Sequence, residues 1–107
     1  MNELAEVQFA RIYETLCDEI DGVAFGKMMS REAIMYEGQV FAFLREGEMI
    51  FKLGREFQPE QHGIMQYSVL APFKHKAPMY DWLQIPAEAQ DQWENLARLA
   101  LRRMQDH

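Results

Sequence analysis

Two Glu-Gly pairs, Glu37-Gly38 and Glu46-Gly47, part three short runs rich in aromatic and branched residues: 33–36, 39–45 and 48–53. Two-residue spacers ending in glycine mark tight hairpins, because the favoured turns need positive φ at their central positions. Three such runs in succession predict an antiparallel meander. With two-residue turns, position 35 faces 40 and position 44 faces 49. Side chains alternate across a strand, so one face collects Ala33, Met35, Val40, Ala42, Leu44, Met49, Phe51 and Leu53. The other collects Ile34, Tyr36, Gln39, Phe41, Phe43, Arg45, Glu48, Ile50 and Lys52. A bulge in the first turn would re-pair the first strand, since a slip of one residue turns every side chain over.

Two helical patterns flank this meander. Over residues 2–20, Asn2 suits the N-cap and Gly22 lies just past the end. Ala5, Phe9, Ile12, Tyr13, Leu16, Cys17 and Ile20 recur there at three- and four-residue steps, a single apolar stripe. Over 86–104 the stripe is Ala89, Trp93, Leu96, Ala97, Ala100, Leu101 and Met104, with Pro86 in the first turn and Arg102 and Arg103 in the last. Residues 23–30 read as a further strand, Pro59 to Gln66 as a short helix, 71–79 as a loop, and 79–85 as a last strand stopped by Pro86. The expected architecture is α+β: two layers, an antiparallel meander sheet with the N- and C-terminal helices on one face, in a single domain over 1–107.

Composition narrows the function classes. At 107 residues, 49% apolar, the chain can bury a core without staples, and its lone Cys17 has no partner for a disulfide. The longest apolar run, Val40 to Leu44, is far short of the roughly 20 residues of a membrane helix. Residues 1–20 hold five acids and one Arg, unlike the basic opening of a signal peptide. A cytoplasmic protein is expected. Charge is uneven: net −5 over 1–22, +1 over 23–80 and −2 over 81–107, for −6 in total. Duplex-DNA binders gain affinity by neutralising phosphates with dense basic surfaces. Here the basic residues are interleaved with Glu, so DNA binding by the isolated domain is not expected.

Motifs for chemistry are sparse. His62, His75 and His107 stand at no ligating spacing to one another or to Cys17, so no metal is expected. Cys17 shares the stripe of Tyr13 and Ile20 and reads as a small buried hydrophobe. Ser30 and Ser68 lack a nucleophile-elbow frame, and Gly26-Lys27 lacks the rest of a phosphate loop. Asp81 and Glu88 near a helix start read as dipole partners. No cofactor is expected and no catalytic residue is assigned. The eight Met residues read as core filler, and Lys74-His75-Lys76 as a solvated loop. The second sheet face remains. Ile34, Phe41, Phe43 and Ile50 form its apolar centre, with Arg45 and Lys52 on the rim. That is the anatomy of a protein-contact surface, a homodimer being the simplest case. The alternative is that the short helix and the 67–78 loop cover it.

Gly26-Lys27-Met28-Met29, Ala33 to Tyr36, Glu37-Gly38, Gln39 to Leu44 and Met49 to Leu53, together with Pro78 to Pro86 and Trp93, Leu96-Ala97 and Ala100-Leu101, follow a known order. From about residue 5 to residue 104 the chain resembles the N-terminal domain of the TfoX/Sxy family; the related YjbR/MmcQ-like group is the nearest alternative. The resemblance implies a two-layer α+β domain of a kind also found in secretion chaperones, in bacterial regulators linked to natural competence. It carries over no catalytic residue. Only Lys27 and Lys52 match the family's recurrent charged positions, and Met29-Ser30 stands where the family often has Phe-Gly. The resulting expectation is a non-enzymatic protein-binding or regulatory domain. A nucleic-acid-associated transcription modulator is the alternative, and a small-ligand binder or enzyme a second one.

Overall fold

The computed structural model describes residues 4–106. Its elements are α1 (Ala5–Glu19), β1 (Val23–Met28), β2 (Arg31–Tyr36), β3 (Gln39–Arg45), β4 (Glu48–Lys52), a 3-10 turn (Pro59–His62), β5 (Ser68–Leu70), β6 (Met79–Ile85), a 3-10 segment (Ala87–Gln92) and α2 (Trp93–Gln105). The six strands form one antiparallel sheet in the order β1-β2-β3-β4-β6-β5, with β6 inserted between β4 and the short edge strand β5. Both helices pack on one face. The architecture is the expected two-layer α+β meander.

Local signals set most of the elements. Glu37-Gly38 and Glu46-Gly47 both have positive φ at both positions, as tight hairpin turns require. The β1–β2 turn is tighter than its sequence advertises: Met29 (φ 50) and Ser30 (φ 65) take the same left-handed conformation without any glycine. The expected N-cap, Asn2, lies outside the described residues. The expected C-terminal helix starts later than Pro86. Residues 87–92 follow a 3-10 path with non-helical Ala89 (φ −107, ψ 25), which re-phases the chain so that Trp93 enters α2 fully buried. The helix expected from Pro59 shortens to one 3-10 turn, because Gly63 (φ 76) leaves the right-handed region. Strand β5 falls where no strand was expected.

The predicted turn registers are present, with Met35 opposite Val40 and Leu44 opposite Met49. The face assignment of β2 is nevertheless inverted. Ile34 pairs with Ala42 while Met35 pairs with Val40, so Phe41 has no cross-strand partner and forms a bulge within β3. A bulge lets two successive residues lean to one side. Phe41 and Ala42 therefore both join the helix-side core, and Ile34 follows its partner Ala42 there. Ala33 and Met35 turn to the opposite face, where Met35 lies across Gly26.

The helix-side core gathers Phe9, Ile12 and Leu16 of α1, Trp93, Leu96 and Leu101 of α2, and Met49, Phe51, Leu83 and Ile85 of the sheet. A second, smaller cluster fills the other face: Ala33, Phe43, Ile50, Leu70 and Trp82, with Met28, Val40 and Met79 around it. Phe43 meets Trp82 edge-on at 5.5 Å. Outside the core, Arg98 ties the helices together, donating to both carboxylate oxygens of Glu19 (2.7 and 3.3 Å) and to Glu94 one turn earlier (3.2 Å). No helix among the described residues is long and apolar enough to cross a membrane.

Candidate functional site

The expected contact face does not exist as a surface. Ile34, Phe41, Phe43 and Ile50 are each 0% exposed, and the bulge sends Ile34 and Phe41 to the opposite side of the sheet from Phe43 and Ile50. Leu70, from within the stretch expected as a cover, and Trp82 close over the remaining pair. Of the rim, Arg45 is half-buried opposite Glu48 across the β3–β4 turn, and Lys52 is half-buried at the far end of β4. Lys27 is exposed on edge strand β1 opposite Glu32. Register places Lys27 and Lys52 at opposite ends of the sheet, so these two do not form one site.

Lys52 instead belongs to a constellation the sequence did not reveal. Where β4 ends, the N–H groups of Leu53 and Gly54 both donate to the carbonyl of Asp81 (3.0 and 3.1 Å), pinning this turn to the start of β6. Gly54 has φ +89, a conformation that glycine adopts without cost. The guanidinium of Arg103, from the last turn of α2, lies against it. A Cβ on Gly54 would stand 2.8 Å from Arg103 Nε, so the glycine is also what admits the arginine.

Two adjoining clefts of about 490 and 500 Å³ open here and share Asp81 and Arg103. Tyr36, Glu37, Gln39 and Lys52 line the first; Arg55, Glu56, Tyr80 and Trp82 line the second. Each cation is seated on a non-ionic support. Lys52 Nζ lies 5.8 Å from the centroid of Trp82, Arg55 Cζ 5.0 Å from that of Tyr80, and Arg103 rests on Gly54. Arg98 forms ion pairs with Glu19 and Glu94, whereas Lys52, Arg55 and Arg103 take part in no ion pair among the described residues.

The two sheet edges differ. On β1, α1 shields the outer backbone: the Cys17 thiol donates to the carbonyl of Val23 (3.6 Å), and the backbone N–H of Phe25 donates to the Tyr13 hydroxyl. Burial, reinforced by the hydrogen bond with Cys17, holds the Tyr13 hydroxyl above its ordinary pKa. Cys17 itself is exposed, contrary to the buried placement expected from its stripe. Its position lies at the margin of the apolar face, where the thiol serves the strand edge. On β5 the flanking apolar side chains stand in solvent, with Met65 72% and Phe73 52% exposed. Near them the Tyr67 hydroxyl donates to Glu60, which holds that carboxyl below its usual range and raises the Tyr67 pKa. No group of three or more His, Cys, Asp or Glu among the described residues is arranged to hold a metal ion.

No protein-family model matches the chain, and neither a curated protein nor a solved structure matches it.

Proposed function

We propose that this chain is a non-enzymatic cytoplasmic regulatory domain that acts by binding another protein along the β5 edge. One observation carries the reading: β5 has a β-strand partner on one side only, and the exposed Met65, Tyr67 and Phe73 flank it. Strand addition to an open edge supplies main-chain hydrogen bonds, and flanking apolar side chains supply specificity. The other edge is guarded by Tyr13 and Cys17, so β5 is the edge that favours a partner. The resemblance to TfoX/Sxy N-terminal domains supports the regulatory part of the reading.

A second copy of the chain is the first partner to test, since two antiparallel β5 strands can pair about a two-fold axis. Sedimentation of the wild type and of a Met65→Asp/Phe73→Asp double variant reads this directly. The expected result is a dimer for the wild type, with a thermal midpoint that rises with concentration, and a folded monomer for the variant, with a midpoint that does not. Monomers of both at every concentration remove the homodimer. If immobilised wild type and variant then retain the same proteins from a bacterial lysate, the β5 reading fails as well.

A further inference from the structure

We infer that the paired clefts around Arg103 bind a small organic molecule that carries one oxyanionic group, a carboxylate or phosphate monoester, beside an amine. This site is separate from the β5 edge and does not depend on the reading given to that edge.

First, Lys52, Arg55 and Arg103 line adjoining walls and none is in an ion pair among the described residues, although Glu37, Glu56 and Asp81 line the same clefts. Their hydrogen-bond donors are open to a ligand. Secondly, each cation is held by something other than a carboxylate: a Trp82 face, a Tyr80 face, or the bare backbone of Gly54. Such seating reduces the rotamer freedom a ligand has to freeze, and rotamer-rich side chains are costly to immobilise. A guanidinium resting on a glycine keeps the in-plane N–H fork that engages carboxylate and phosphate oxygens in bidentate fashion.

Charge balance selects the ligand class. Three cations and three carboxylates line the two clefts together, and Asp81 belongs to both. A polyphosphate or nucleic-acid backbone would meet Glu37, Glu56 and Asp81 as well as the cations, so density of negative charge is not rewarded. A molecule with one oxyanion and one amine is matched at both ends: the oxyanion at Arg103 and the amine at Asp81. Each cleft, at about 490 and 500 Å³, lies within the usual range of small-molecule sites, roughly 300–1000 Å³.

The test is a titration of the isotope-labelled full chain followed by amide chemical shifts, at fixed ionic strength. The probes are β-alanine and O-phosphoethanolamine, which distinguish the carboxylate from the phosphate source, with inorganic phosphate and ethylamine as single-charge controls. Saturable shifts of Lys52, Gly54, Asp81 and Arg103 with at least one zwitterion are expected, and weaker binding of both controls. Arg103→Gln should weaken that binding by about tenfold, the scale of one charge-assisted hydrogen-bond pair. Lys52→Gln is the second variant, for use if Arg103→Gln melts early. Asp81→Asn should erase the preference for the zwitterion over its oxyanion-only control. Absence of saturation with both zwitterions overturns the inference. So does binding that both cation variants leave unchanged, or shifts centred on Lys74 to Lys76.

Discussion

The β1–β2 turn offers a measurable account of strain. Met29 and Ser30 hold φ of 50 and 65, and neither is glycine. A left-handed conformation costs an L-residue roughly 1–2 kcal/mol, least for Asn and nothing for Gly. Replacing the pair by Asn-Gly, the preferred pair for this turn, removes most of that cost at both positions. Two losses offset part of the gain. Glycine at position 30 loosens the unfolded chain by about 0.4–1 kcal/mol. Met29 gives up some packing, although it is 38% exposed and has little to lose. The net expectation is a stabilisation of about 1–2 kcal/mol. For a domain near this size that corresponds to a rise in Tm of about 5–15 °C. Urea unfolding followed by far-UV circular dichroism measures the free energy, and a thermal melt measures the midpoint. Met29→Asn and Ser30→Gly should each contribute. An unchanged or lower midpoint in the double variant would refute the argument that these two residues store backbone strain.

Four further outcomes follow from the packing and the electrostatics. Phe43→Ala should cost about 3–5 kcal/mol, as for a fully buried Phe, and Phe43→Glu should not yield a folded domain; a stable Glu variant would mean that the face opens to solvent. Gly54→Ala imposes a strained φ and pushes Arg103 aside, so a loss of about 1–2 kcal/mol is expected, together with weaker zwitterion binding; a neutral result would show that the turn and the arginine adjust freely. The Arg98 hydrogen bonds hold the Glu19 carboxyl below its ordinary range, so the pair's contribution is present at neutral pH and fades as acid protonates Glu19. The stability difference between wild type and Glu19→Gln should therefore shrink from pH 7 to pH 3, and a constant difference argues against the pair. With a net charge of −6, binding to duplex DNA at physiological salt should be weaker than about 10⁻⁴ M; a micromolar complex that weakens with added salt would contradict this.

The sequence by itself determined what is local. The two Glu-Gly turns require positive φ between strands of fixed spacing, so Met35 opposite Val40 and Leu44 opposite Met49 were legible before any tertiary contact. The stripes of α1 and α2 were legible for the same reason, each helix needing one apolar side. Tertiary structure decided the rest. Val40 to Leu44 is an unbroken apolar run, which lacks the alternation that would reveal a phase change, so the bulge at Phe41 left no trace in the pattern. The bulge is set by which side chains fill the helix-side layer, and it inverted the faces of Ala33 and Ile34. That inversion dissolved the expected contact surface into two cores. The insertion of β6 between β4 and β5 likewise has no local signal, because strand neighbours along a sheet are chosen by distant pairing. Lys52 and Gly54, Asp81 and Arg103 come from three distant stretches of the chain and become one site only when β6 closes on β4 and α2 ends beside them. Gly54 is conspicuous as a glycine only once the guanidinium lies against it.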